Sequence, residues 1–70
     1  MTDPVFPQLS AIARERRGRL GLSQQDLADL AGVSARFIHT LEHGKPSLRL
    51  DKVLAVLEVL GLDLEVVARR

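Results

Sequence analysis

Stretches whose apolar residues recur at helical spacing alternate along this chain with short breaks rich in glycine, serine and proline. From Gln8 to Leu20 the positions Leu9, Ile12, Ala13 and Leu20 follow a helical period, and Gly21 supplies the stop. Ser23 caps a second predicted helix, with Asp26 three residues on as an imperfect capping box. That helix carries Leu27, Ala28, Leu30 and Ala31 and ends at Gly32. Ser34 caps a third, running to His43 and closed by Gly44, and a fourth spans Arg49 to Leu60 before Gly61. In the tail, Leu62, Leu64 and Val66 fall on one side and Asp63, Glu65 and Val67 on the other, the alternation of a strand. The pattern predicts an all-α domain over residues 8–61. It is preceded by an aperiodic, proline-containing arm, 1–7, and followed by a strand or tail, 62–70.

A lone strand is unstable because its backbone groups need a ladder partner. No second strand is visible, so the tail either frays or pairs with the same tail of another chain; pairing is the favoured expectation. The fourth helix points the same way. Its residues Leu50, Val53, Leu54, Val56, Leu57, Val59 and Leu60 cover an arc of roughly 220°, about twice what one packed face needs. Val56 and Val59 lie at the far edge of that arc. With Leu62, Leu64 and Val66 they form the expected dimerisation surface. Scattered surface valines are the competing reading.

Composition strengthens the dimer expectation. A chain of 70 residues buries too little surface to be robust alone, and with no cysteine neither disulfides nor thiolate metal sites can help it. The net charge of +1 says nothing by itself about nucleic acid, although Arg14, Arg16, Arg17 and Arg19 cluster in the first helix. Aromatic residues are too few for single-strand stacking platforms. No run is long and apolar enough for a bilayer span, and no signal pattern opens the chain, so a cytoplasmic location and no membrane partner are expected. No glycine-rich phosphate loop, nucleophile elbow or carboxylate pair is visible, so neither an enzyme nor a cofactor is expected.

The central segment QQDLADLAGVSARFIHTLEHGK meets three requirements of a tight helical corner together. Gly32 can take positive φ at the turn, Ala28 is small where the helices cross, and Leu27, Val33, Ile38 and Leu41 can fill the corner. The segment resembles the Cro/repressor-type (XRE-type) helix-turn-helix family through Gln24, Ala28, Gly32, Val33, Ser34, Leu41, Glu42 and Gly44. The similarity runs from about Leu9 to Leu60. The following GKPSLRLDKVLAVLEVLGLDLEVV resembles the shorter HipB-like branch of antitoxins and autorepressors. The resemblance implies a lambda-repressor-like four-helix domain, a salt bridge between Arg17 and Glu42, and a dimer on double-stranded DNA. It also implies a cognate toxin as a further partner; a stand-alone or phage-type repressor and a protein-interaction module are the alternatives.

In such a motif the third helix enters the major groove, N-terminal part first. A helical wheel turns Ile38, Leu41 and Glu42 inward and Ala35, Arg36, His39, Thr40 and His43 outward. Arg36 is the leading base reader, since a guanidinium can bond guanine bidentately. Ala35 and the Thr40 methyl suit thymine methyls, while Phe37 reads as packing. Gln24 and Ser34 are expected to hold phosphate or, for Ser34, simply to cap the helix. Lys45 is a plausible phosphate contact, and His43 a weaker one. The string His39-Thr40-Leu41-Glu42-His43 also matches the H-x-x-E-H signature of some zinc peptidases. A third ligand and a cleft are not in view, and the resemblance assigns Glu42 to a salt bridge, so no metal site and no catalytic residue are expected.

Overall fold

A computed structural model describes residues 5–45 and 47–68. They form four helices, α1 (Val5–Arg19), α2 (Gln24–Ala31), α3 (Ala35–Glu42) and α4 (Leu50–Leu60). None is long and apolar enough to cross a membrane.

Helix boundaries fall where local chemistry can satisfy the backbone. At α2, Ser23 Oγ accepts the Asp26 N–H at 2.9 Å while Asp26 Oδ2 accepts the Ser23 N–H at 2.9 Å, so the capping box closes with aspartate. These bonds to Ser23 hold the Asp26 carboxyl below its ordinary value. Ser34 Oγ accepts the Phe37 N–H at 3.0 Å and opens α3. Gly32 ends α2 at φ 71°, a left-handed conformation that a Cβ would strain. The first helix starts earlier than expected. Val5 to Pro7 belong to α1, not to an arm, because Pro7 sits in the first turn, where N–H groups have no intrahelical acceptor. Residues 1–4 of the expected arm lie outside the described residues.

Helix α2 packs on α3 and α4, and α1 packs on the same two. Between them lies a core of Ala13, Leu27, Ala28, Ile38, Leu41, Val53, Val56, Leu57 and Leu60. The corner residues Leu27, Ile38 and Leu41 are fully buried, and Val33 packs against them. Three predicted stripe residues instead stand outside: Ile12, Leu20 and Leu30 are 53%, 45% and 63% exposed.

On α4 the expected surface needs correction. Val56 is fully buried, so it cannot face a partner, and Val59 is half-buried against the core. Val53, Val56, Leu57 and Leu60 fall within an arc of about 100°, and α1 and α2 close over it. The apolar residues left outside are Leu50 and Leu54, at the opposite edge from Val59. The expected strand is not seen: residues 62–68 form neither helix nor strand, since among the described residues no second strand offers their backbone groups a ladder. Leu62 packs against the core, while Leu64 is 44% and Val66 94% exposed.

Among the described residues, one ion pair joins two helices. Arg17 Nε and Nη2 donate to Glu42 Oε2 and Oε1 at 2.6 and 2.9 Å, and Nη1 donates to the Leu22 carbonyl at 2.9 Å. Gln24 Nε2 adds a bond to Glu42 Oε1 at 3.3 Å. Burial alone would push the Glu42 carboxyl up, but the Arg17 bond, the Gln24 bond and the charges of Arg17 and Arg14 hold it below its ordinary 4.5. The same pairing raises the Arg17 pKa. Because the folded-state value of Glu42 is depressed, its contribution to stability is present above pH 4.5 and is lost as pH falls through the folded value. Arg17→Met leaves a buried carboxylate with Gln24 alone and should cost about 3 kcal/mol in urea unfolding at pH 7. Glu42→Gln should cost less, since Arg17 still reaches water. The gap between wild type and Arg17→Met should narrow on acidification below pH 4.5; parallel pH profiles would show that the bridge contributes nothing.

Candidate nucleic-acid interface

Helix α3 has two dissimilar faces. Ile38, Leu41 and Glu42 point into the fold. Arg36, His39 and His43 stand exposed on the other side, with Thr40 half-buried beside them. Ala35 is half-buried against the core, so its methyl group is only partly available to a ligand. Ser34 is exposed, and its oxygen already accepts the Phe37 N–H, leaving its O–H to donate outward. Thr40 has the reverse arrangement. Its O–H donates to the Arg36 carbonyl at 2.9 Å, which leaves hydroxyl lone pairs and a methyl group facing out. Such a side chain suits a base amino group or a thymine methyl and cannot donate to phosphate without breaking that bond.

Gln24 is half-buried at the start of α2, and its amide is turned to Glu42 at the end of α3. This geometry braces the two helices. The first turn of α2 also contains Asp26, an anion that competes with phosphate for the positive end of the helix.

A concavity beside α3 brings together residues distant in sequence. Four cations, Arg36, Lys45, Arg49 and Lys52, rim it with Ser34, Thr40 and Ser47. Arg49, Lys52 and Ser47 were not among the residues singled out from the sequence. The spacing of Arg49 and Lys52, one turn apart at the start of the helix after α3, was the available signal. Lys52 Nζ stands 5.8 Å from the centre of the Phe37 ring, which orients the ammonium by cation–π attraction. Phe37 itself packs against the core, as expected. Arg49 is paired with Asp51, Nη2 to Oδ2 at 2.8 Å and Nε to Oδ1 at 3.2 Å. The Arg49 bond holds the Asp51 carboxyl below its ordinary value. Both side chains are largely exposed, so a phosphate can exchange with Asp51 at little cost.

The structure places the glutamate and the two histidines of the zinc-peptidase pattern differently. Glu42, the general base of that pattern, is buried beside the exposed His39 and His43 and is committed to Arg17 and Gln24. The expected Arg17–Glu42 bridge is formed.

Residues 8–69 match a helix-turn-helix domain family. The chain is also 43% identical over 60 residues to an uncharacterized HTH-type transcriptional regulator, y4mF, of Sinorhizobium fredii (strain NBRC 101917 / NGR234), spanning 86% of this chain and 79% of that protein. On both counts, and with two capped helices meeting at Gly32 around a shared apolar corner, this chain belongs to the helix-turn-helix family.

Proposed function

We propose that the chain is a sequence-specific repressor that binds double-stranded DNA by inserting α3 in the major groove. The observation that carries this reading is the concavity rimmed by Arg36, Lys45, Arg49 and Lys52 beside the exposed face of α3. With a net charge of only +1, the chain has no general excess of cations to hold phosphate, so the local cluster must supply it. Arg36 reads guanine, and Thr40 accepts from a base or meets a thymine methyl. Lys45, Arg49 and Lys52 hold phosphates and set the depth of insertion. The relative's name as a transcriptional regulator supports the same reading. The protein acts by binding in the cytoplasm, without catalysis or a cofactor.

The repressor works as a homodimer. A shallow apolar groove runs along Leu9, Ile12, Leu57, Leu62 and Leu64, and Leu54 borders it beyond Gly61. Ile12, Leu54 and Leu64 are each about half exposed, and Val66 and Val67 are more so. A second copy would cover these side chains and give the tail a ladder partner over Leu62, Leu64 and Val66. Two copies related by a two-fold axis would place their α3 helices in successive major grooves, roughly 34 Å apart, and read a pseudo-palindrome. The resemblance of the segment from Gly44 onward to the HipB-like branch favours an antitoxin that represses its own operon, with a toxin protein as third partner.

Arg36→Ala should lower discrimination among duplexes selected from random DNA by about 1–3 kcal/mol, measured by fluorescence anisotropy. Equal losses on selected and random duplexes would remove its base-reading role. Lys45→Ala and Lys52→Ala should each weaken both kinds of duplex and reduce the slope of log affinity against log salt by about 1. Asp51→Asn, by freeing Arg49, should strengthen both. For the dimer, sedimentation of Leu54→Glu, and of the chain cut after Gly61, should give a monomer that retains its helical circular dichroism. An unchanged dimer mass in both would place the interface elsewhere.

A further inference from the structure

The two histidines of the chain are not absorbed by the ion-pair network or by the cationic concavity. They stand one turn apart on the exposed face of α3, with ring centroids 3.9 Å apart and planes inclined by 33°. His43 Nδ1 lies 2.7 Å from the carbonyl oxygen of His39. A carbonyl oxygen can only accept, so in this contact Nδ1 carries a proton, and in the neutral ring that leaves the Nε2 lone pair free. The bond thus selects one tautomer of His43 and restrains its ring. A ring nitrogen bonded to a backbone carbonyl is the usual support of a metal-ligating histidine.

We propose that His39 and His43 form a transition-metal site on the exposed face of α3, and that an ion held there competes with DNA. The ligands would be His43 Nε2 and a ring nitrogen of His39. Imidazole pairs select ions of the Ni2+, Cu2+ and Zn2+ group over Mg2+ and Ca2+, which prefer oxygen. Among the described residues no group of three or more metal-ligating side chains occurs, so water completes the coordination and the site is open. Its position at the end of α3 adds the attraction of the helix C-terminal carbonyls for a cation. Arg14 lines the same concavity as His43, and Glu42 is spent on Arg17. Ligation by neutral imidazole, not carboxylate attraction, therefore has to hold the ion.

The competition rests on the proposed docking of α3 in the major groove. A hydrated ion on His39 and His43 thickens the face that has to enter. By linkage, DNA must then weaken the ion by the factor by which the ion weakens DNA.

The test titrates the dialysed full chain with Ni2+ by calorimetry in the absence of DNA. One ion per chain should bind, and His39→Ala and His43→Ala should each weaken it about tenfold or more, with unchanged circular dichroism. In the wild type, paramagnetic Ni2+ should broaden the proton resonances of both histidine rings first. Equal binding by the His39→Ala/His43→Ala double variant would overturn the site. The second arm compares affinity for a duplex selected from random DNA with and without Ni2+. The wild type should weaken with Ni2+ and recover with EDTA, and the double variant should show no such ratio. Ion binding without a change in DNA affinity would overturn the competition and leave the site. If the metal-free chain binds no duplex, the DNA reading and the competition fall together, and the calorimetry still decides the site.

Discussion

The bidentate bond between Arg17 and Glu42 lies where four parts of the chain meet. Helix α3 has only eight residues, too few to hold a helical shape in water on their own. Its orientation therefore depends on what its ends and inner face are attached to. Glu42 supplies the attachment at one end, and it does so as a buried carboxylate that cannot be left without partners. One guanidinium answers it from α1 and also takes the Leu22 carbonyl of the turn before α2. Gln24 adds α2 through the same carboxylate oxygen. The outward face of α3 is aimed by this anchor as much as by the apolar corner.

Helix α1 extends the same role along its length. Ser10 donates to the Leu41 carbonyl near the end of α3, and Arg16 Nε donates to the Leu60 carbonyl at the end of α4 at 2.8 Å. Both carbonyls belong to last turns, where helix bonding runs out; Leu41 also accepts the Gly44 N–H just past α3 at 3.2 Å. The first helix thus closes the ends of two others while Ala13, between Ser10 and Arg16, lets the backbones approach. The arginines of α1 read from composition as a basic cluster are divided by this packing. Arg16 and Arg17 are structural, and Arg19 pairs with Glu15 on the surface. Three of the four cations that rim the concavity beside α3, Lys45, Arg49 and Lys52, come instead from the segment after it.

Apolar surface is distributed with equal economy. The core takes one narrow face of α4, and the edge residues Leu50 and Leu54 remain outside with Ile12, Leu64, Val66 and Val67. A small domain with this much exposed aliphatic surface and no disulfide has a physical reason to associate. In the proposed dimer, association through α1, α4 and the tail would leave the outer face of α3 free, so pairing and the proposed DNA reading would not compete for the same surface.

The helices, their caps and their order were legible from local chemistry. Ser23, Ser34, Gly32 and Gly61 act on backbone groups within four residues, and nothing distant competes with them. The inward turn of Ile38, Leu41 and Glu42 was legible for the same reason, since helical periodicity is local. The Arg17–Glu42 bridge was reached through family resemblance, because its partners are 25 positions apart and no spacing rule connects them. Tertiary packing alone decided which part of the broad apolar arc of α4 is core. Val56 was expected at the rim and is buried, because α1 and α2 cover the side centred on Val53 and Leu60. Packing likewise brought Ser47, Arg49 and Lys52 beside Arg36, around a turn whose path the sequence does not encode locally. Sequence by itself determined the caps at Ser23, Gly32, Ser34 and Gly61 and the inward turn of α3, since those depend on neighbours along the chain. It did not give the start of α1 at Val5 or the exposure of Ile12, Leu20 and Leu30. Which apolar faces meet, and which charges they carry together, was decided only when the four helices packed.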